Sequence, residues 1–199
     1  VTVRAPATAR SRRTRGDLAR AAHDDIARRG SLDASAIADA AGVSTATFYA
    51  HFATHDDAIA AALDISLAAV VGVAERCFRI EALIETGLSA VVERLVSETH
   101  AVFRTESLVM RTALARLSFH QGTRDVYRHH EGRSLEHLTR QIALGQKAHL
   151  LRSGPADQRA ISLLVLMQGL HNTLLVKKRI EPVIAGDLHR AIHALLSPE

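Results

Sequence analysis

Tryptophan is absent, and aromatic residues make up only 4% of the 199-residue chain. The hydrophobic 47% is therefore mainly Ala, Leu, Val and Ile, a usage that favours helices. Proline is scarce, at positions 6, 155, 182 and 198, which leaves room for long uninterrupted helices. No sustained period-two alternation bounded by turn residues runs through the chain, so a sheet is not expected. Cys77 is the only cysteine. An intrachain disulfide is excluded, a reducing compartment is expected, and core packing is a better expectation for Cys77 than redox sensing. Val1–Gly16 lacks the apolar run of a signal peptide. The apolar stretches Ala58–Ala74 and Ala160–Val176 are each about 17 residues long and are interrupted by Asp64 or by Gln168, His171 and Asn172. A membrane span needs about 20 residues, so both are expected to be buried helices of a cytoplasmic protein with no membrane contact.

The charge that is present is unevenly placed. Residues 1–16 hold Arg4, Arg10, Arg12, Arg13 and Arg15 and no acid, so the rest of the chain carries a net −1 out of the total +4. This is a basic arm over residues 1–13, suited to phosphates or a minor groove; the alternative is a solubilising tail.

Beyond the arm, Ile37-Ala-Asp-Ala-Ala-Gly-Val-Ser-Thr-Ala-Thr-Phe-Tyr-Ala-His-Phe52 contains the parts of a helix-turn-helix in order. Ile37, Ala38 and Ala41 form a narrow apolar stripe that a second helix can cross closely. Gly42 stops the first helix because glycine alone enters a left-handed C-cap without strain. Val43 is the buried hydrophobe of the turn, and Ser44 is a good N-cap for a short second helix that buries Phe48 and Phe52. Its other face presents Thr45, Ala46, Thr47, Tyr49 and His51. These are short groups for base edges and longer ones for the flanking backbone of a major groove. With no Asn, Gln or Arg in that helix, bidentate base readout is limited, and DNA shape is expected to carry part of any specificity. An ordinary helical hairpin inside an all-α enzyme is the competing reading.

Gly42-Val-Ser-Thr-Ala-Thr-Phe-Tyr-Ala-His-Phe52 resembles the recognition helix of TetR-family transcriptional regulators, whose pattern runs G-V-S-x-x-T-[LF]-Y-x-[HY]-F. The next stretch, Ala53-Thr-His-Asp-Asp-Ala-Ile59, resembles that family's start of helix 4, with Thr54 as N-cap and His55 in place of a phosphate-binding lysine. The connection from Gly30 to Ile37 is about two residues shorter than usual. Ser35 is the nearest match to the hydroxyl that the family uses on a phosphate at the start of helix 2.

The resemblance implies an all-α protein of about nine helices. An N-terminal three-helix helix-turn-helix head over residues 14–55 would precede a helical ligand-binding and dimerisation domain over 56–199. It also implies a homodimer on a palindromic double-stranded DNA operator, released as a repressor by a small molecule. No cofactor, metal or catalytic residue is implied, and no enzyme is expected. The DNA-binding residues expected are Arg12, Arg13, Ser35, Ser44, Thr45, Ala46, Thr47, Tyr49, His51, Thr54 and His55.

Within the first part, helices are expected over about Thr14–Arg29, Asp33–Ala41 and Thr45–Phe52, then from Thr54 to about Phe78. Later helices are expected over Glu81–Phe103, Glu106–His120, Arg124–Leu151, Asp157–Arg179 and Ala185–Ser197. Breaks are assigned to Gly122, to Ser153–Asp157 and to Pro182 with Gly186. The uncharged stretch Ile161–Val176 needs burial on every side. With Leu188, Ile192, Leu195 and Leu196 it is expected to pair two copies, through about 157–179 and 185–197.

Nine of the 12 histidines come after residue 99. His130, Ser134, His137 and Gln141 share a helical face, but imidazoles at i, i+7 lie about 10 Å apart along a helix, too far for a compact metal site. A solvated polar face is expected. Phe103, Met110, Leu114, His120, Tyr127, Met167 and His171, mixing apolar walls with polar anchors, are the expected ligand pocket. Two competing functions are a His-rich metal-dependent helical enzyme and a sequence-neutral DNA-binding protein.

Overall fold

The structure is a computed structural model that describes residues 8–171 and 181–198. Among the described residues it is all-α: α1 (Ala9–Arg29), α2 (Ala34–Ala40), α3 (Thr45–His51), α4 (His55–Cys77), α5 (Ile80–Thr105), α6 (Ser107–Leu114), α7 (Gln121–Lys147), α8 (Ala156–Gln168) and α9 (Glu181–Leu196). A 3₁₀ turn, Gly169–His171, succeeds α8. The remainder of the helix expected to reach Arg179 lies outside the described residues.

The packing divides into two units, one reaching to Ala68 and including Thr105–His129, the other formed by Ala69–Arg104 and the chain from His130 on. The unit that holds the helix-turn-helix thus takes in α6, which packs on α1. Thr112 Oγ1 donates to the Gly30 carbonyl at 3.1 Å. Glu106 accepts from Ser66 Oγ (2.6 Å) and faces His23 Nε2 (2.7 Å).

In the first unit, Leu18, Ala22, Ile37, Ala38, Phe48, Phe52 and Ala58 form the core, where small residues let three helices approach around two rings. Helix α1 starts at Ala9, five residues before the expected Thr14. Thr8 caps it by accepting from the Ser11 N–H at 3.2 Å, and no proline interrupts the helix. It ends where Gly30 turns left-handed (φ 69°) and donates its N–H to the Ile26 carbonyl.

The second core gathers Phe78, Val92, Leu95, Ile142, Leu163 and Ile192 among others. Here α5 departs from its expected continuous course. Gly87 has φ 80° and ψ 164°, a glycine-only conformation that kinks the helix. The assigned breaks at Gly122 and at Pro182 with Gly186 are also corrected. All three lie inside helices, Gly122 in the first turn of α7 and Pro182 in that of α9, where a missing N–H removes no helical bond.

The stripe His130, Ser134, His137 and Gln141 is buried, not solvated. Backbone groups in the turn between α4 and α5 need partners, and α7 supplies two. His137 Nε2 donates to the Phe78 carbonyl at 2.9 Å, and Gln141 Oε1 accepts from the Ile80 N–H at 2.9 Å.

Cys77 is 2% exposed, and burial foremost, with Glu98 beside it, pushes its thiol up to about 11. A thiol so protonated suits core packing rather than redox chemistry. Among the described residues α4 alone is long and apolar enough to cross a membrane. Its apolar side chains enter protein cores instead, Ala58 in the first and Val73 and Cys77 in the second.

Candidate nucleic-acid interface

Asp33 caps α2 through Oδ1, which accepts from the Ser35 and Ala36 N–H groups at 2.9 and 3.2 Å. Gly42 takes φ 67°, and the reversal is closed by hydrogen bonds from Gly42 N–H to the Asp39 carbonyl and from Val43 N–H to the Ala38 carbonyl. Ser44 Oγ accepts from the Thr47 N–H at 3.2 Å, so α3 starts where its cap predicts.

A seven-residue helix has little stability of its own and depends on what it buries. Phe48 and Phe52 are fully buried with ring centroids 5.5 Å apart. The Arg15 guanidinium lies 4.4 Å over the Phe52 ring and donates to the His51 carbonyl at the end of α3. Arg15 therefore belongs to the packing of the head and not to a free arm. Burial lowers its pKa, against the smaller opposing effect of Asp57.

This anchoring turns Ser44, Ala46 and Tyr49 to solvent, with Thr45 and Thr47 half-buried between them. Tyr49 is 48% exposed, and its hydroxyl meets His55 Nε2 at 3.1 Å with the two rings stacked. Arg29, Ser31, Ser35, Thr45, Tyr49 and His55 line one open cleft of about 560 Å³. Four of the expected DNA-binding residues are thus brought together. Arg29 is not among the residues expected from the sequence. It is the last residue of α1, and the buried Asp25 accepts a hydrogen bond from it and a second from the Asp33 N–H. Only the (i, i+4) spacing of Asp25 and Arg29 hints at this in sequence.

Four expected contacts are differently employed. Arg12 and Arg13 are exposed but stand on the first turns of α1, so the arm expected over 1–13 is helical from Ala9. Val1–Ala7, with Arg4, lies outside the described residues. At Thr54, both the N–H and the hydroxyl donate to Asp57 Oδ2 at 2.9 Å, and its Oγ1 accepts from the Asp57 N–H. This is a reciprocal cap that leaves Thr54 less free for phosphate. His51 is half-buried, and burial first, then the Arg15 charge, lowers its pKa.

A histidine more readily protonated when unfolded favours the folded state above its ordinary value of about 6.5 and loses that contribution as pH falls through the folded value. The denaturation midpoint is expected to drop from pH 7.5 to 5 more steeply in the wild type than in His51→Gln. Parallel pH curves would remove His51 from the stability of the head.

The residues expected to line a ligand pocket come from both units. Met110, Leu114, His120 and Tyr127 belong to the first, Phe103 and Met167 to the second. Met110 and Met167 are core residues, the latter in the second hydrophobic core. His120 accepts the Thr123 N–H on Nδ1 (3.1 Å), which leaves Nε2–H facing Asp57 at 3.3 Å. It is thus a cap for α7 with a link to α4. The His171 side chain lies outside the described residues.

No family model matches the sequence, and no curated protein matches it. Solved structures do. A protein of Mesorhizobium loti assigned to the TetR-family transcriptional regulators is 18% identical, with a TM-score of 0.73 over 96% of this chain and 100% of that one. A TetR transcription regulator from Haloarcula marismortui is 18% identical, with a TM-score of 0.68 over 92% and 96%. A protein of Saccharomonospora viridis assigned as a transcriptional regulator, in complex with choline, is 24% identical, with a TM-score of 0.70 over 94% and 100%. Fold, helix order and the geometry of the α2–α3 turn agree on one conclusion: this chain has the fold of the TetR-family transcriptional regulators.

Proposed function

We propose that the protein is a sequence-specific DNA-binding regulator of transcription, acting as a cytoplasmic homodimer on an inverted-repeat operator. The observation that carries this is the outer face of α3. Two fully buried rings fix the helix, and the side it exposes offers Ser44, Thr45, Ala46, Thr47 and Tyr49 beside a cleft that contains Arg29, Ser35 and His55. Hydroxyls and a methyl suit base edges, while the cleft suits the adjoining backbone.

One such helix covers a half-site, so a second copy about 34–36 Å away is needed. The exposed Ile161 and Val165 of α8 and Val183 of α9 support pairing through those helices, since the α8 pair forms an apolar stripe at i, i+4. Repression relieved by a small molecule is the regulatory mode we favour, and the choline held by the Saccharomonospora viridis protein supports a fold able to take such ligands. The effector must bind the released state better than the DNA-bound state, or the equilibrium does not move.

Selection of duplexes from a random-sequence pool, with anisotropy then measured at about 150 mM salt, tests the reading. The expected result is an inverted repeat bound by two protomers with a preference of ~10³-fold or more over scrambled DNA. Equal binding to both would leave a sequence-neutral DNA grip, and no binding would overturn the reading.

A further inference from the structure

A second cleft, of about 300 Å³, adjoins the first. Gly30, Ser31, His55, Thr112, Arg111 and Arg116 lie in its walls, and Ser31, Leu32 and His55 are shared with the cleft beside α3. Its two arginines come from α6 and the turn after it, elements that the helix-turn-helix does not include.

Their positions are set by contacts inside the first unit. Thr112 holds α6 to the Gly30 carbonyl, and a Cβ on Gly30 would come within 3.5 Å of Leu108, so the gap between α6 and the end of α1 there is about one methyl wide. Arg116 Nε donates to Asp56 Oδ1 at 2.6 Å, and the same guanidinium donates to the Thr112 carbonyl. The charge of Arg116 is therefore balanced. Arg111 is exposed, and among the described residues no acid lies within ion-pair distance of it. The other acids nearby are engaged: Asp57 with Thr54 and His120, and Asp33 in capping α2. An uncompensated guanidinium that shares a cleft with Ser31 is a site for an oxyanion.

We propose that this cleft takes a phosphodiester of the DNA backbone, with Arg111 as its cation, so that the footprint extends from α3 past His55 onto α6. The inference rests on the DNA-binding reading above. It assigns to Arg111 a contact that sets affinity and salt dependence without reading sequence.

The test uses the full chain and a 40-base-pair duplex selected by the wild type, with anisotropy from 50 to 300 mM salt. Arg111→Gln is expected to weaken binding by about tenfold per contact. It should lower the slope of log affinity against log salt by about 0.9 per contact, hence by nearly 2 for a dimer. Arg111→Lys should keep most of the slope, because it retains the charge. Arg128→Gln, an exposed arginine of the same unit that is not among the residues lining either cleft, should leave it unchanged. An Arg111→Gln slope equal to wild type overturns the proposal, as does an equal fall in Arg128→Gln, which would make the effect one of net charge. Calorimetry with inorganic phosphate alone supplies the other arm: binding lost in Arg111→Gln with the DNA slope intact would reassign the cleft to a free phosphate. If the wild type binds no duplex, the DNA reading itself falls and takes this one with it.

Discussion

Phe48→Ala is expected to destabilise the first unit by about 3–5 kcal/mol, the range for removing a buried aromatic from a packed core. Phe48 is fully buried and touches three other rings: Phe52 at 5.5 Å, Tyr49 edge-on at 5.1 Å and His55 at 6.3 Å between centroids. A seven-residue helix has few other contacts with which to offset the cavity. Domains are stable by only about 5–15 kcal/mol, so the loss is a large fraction of the whole. Tyrosine fluorescence is a suitable probe, because the chain has no tryptophan and both tyrosines, Tyr49 and Tyr127, belong to this unit. Urea titration should show its transition moved to much lower denaturant, with DNA binding lost in parallel. A change of less than about 1 kcal/mol would mean that α3 is held by something other than its rings.

The second large effect is on assembly. The double variant Ile161→Asp, Val165→Asp is expected to be monomeric in sedimentation. Its affinity for an inverted-repeat duplex should fall at least a hundredfold, the lower end of what linking two sites contributes. Both side chains are exposed in the single chain, at 50% and 60%, so folding should change little. In a dimer the same positions would be buried, and four carboxylates there would have to shed their water without partners. Dimers that persist, still bound to DNA, would place the interface elsewhere.

The features legible in the sequence are those that act within a few residues. Gly42, Ser44 and Thr54 each impose a backbone state or a cap on their own neighbours, and each does so in the structure. The apolar spacing of Phe48 and Phe52 likewise states which face is buried. Residues that serve distant partners are not legible. Arg15 looks like one more arginine of a basic arm until Phe52 and His51, some 36 positions on, are placed beside it. His137 and Gln141 look like a wet face, yet they complete backbone hydrogen bonds of a turn about 60 residues earlier. The α6 contribution to the first unit depends on Thr112 meeting Gly30, a pairing that no periodicity encodes. Gly87 is hidden for a different reason: a glycine inside a helical pattern is commonly tolerated, and nothing local marks it as a kink.

Cys77 has a practical corollary. Burial pushes its thiol up to about 11, so it stays protonated at neutral pH, and the sulfur is out of solvent's reach. To a maleimide or a spin label the folded wild type is close to a cysteine-free protein, with no replacement of the native residue needed. A single cysteine introduced at the exposed Ala40 of α2, outside the expected DNA contacts and both clefts, would be labelled alone. Two copies of that label would report the separation of the two heads, with and without DNA or effector, as a ruler for the groove spacing that an inverted repeat demands.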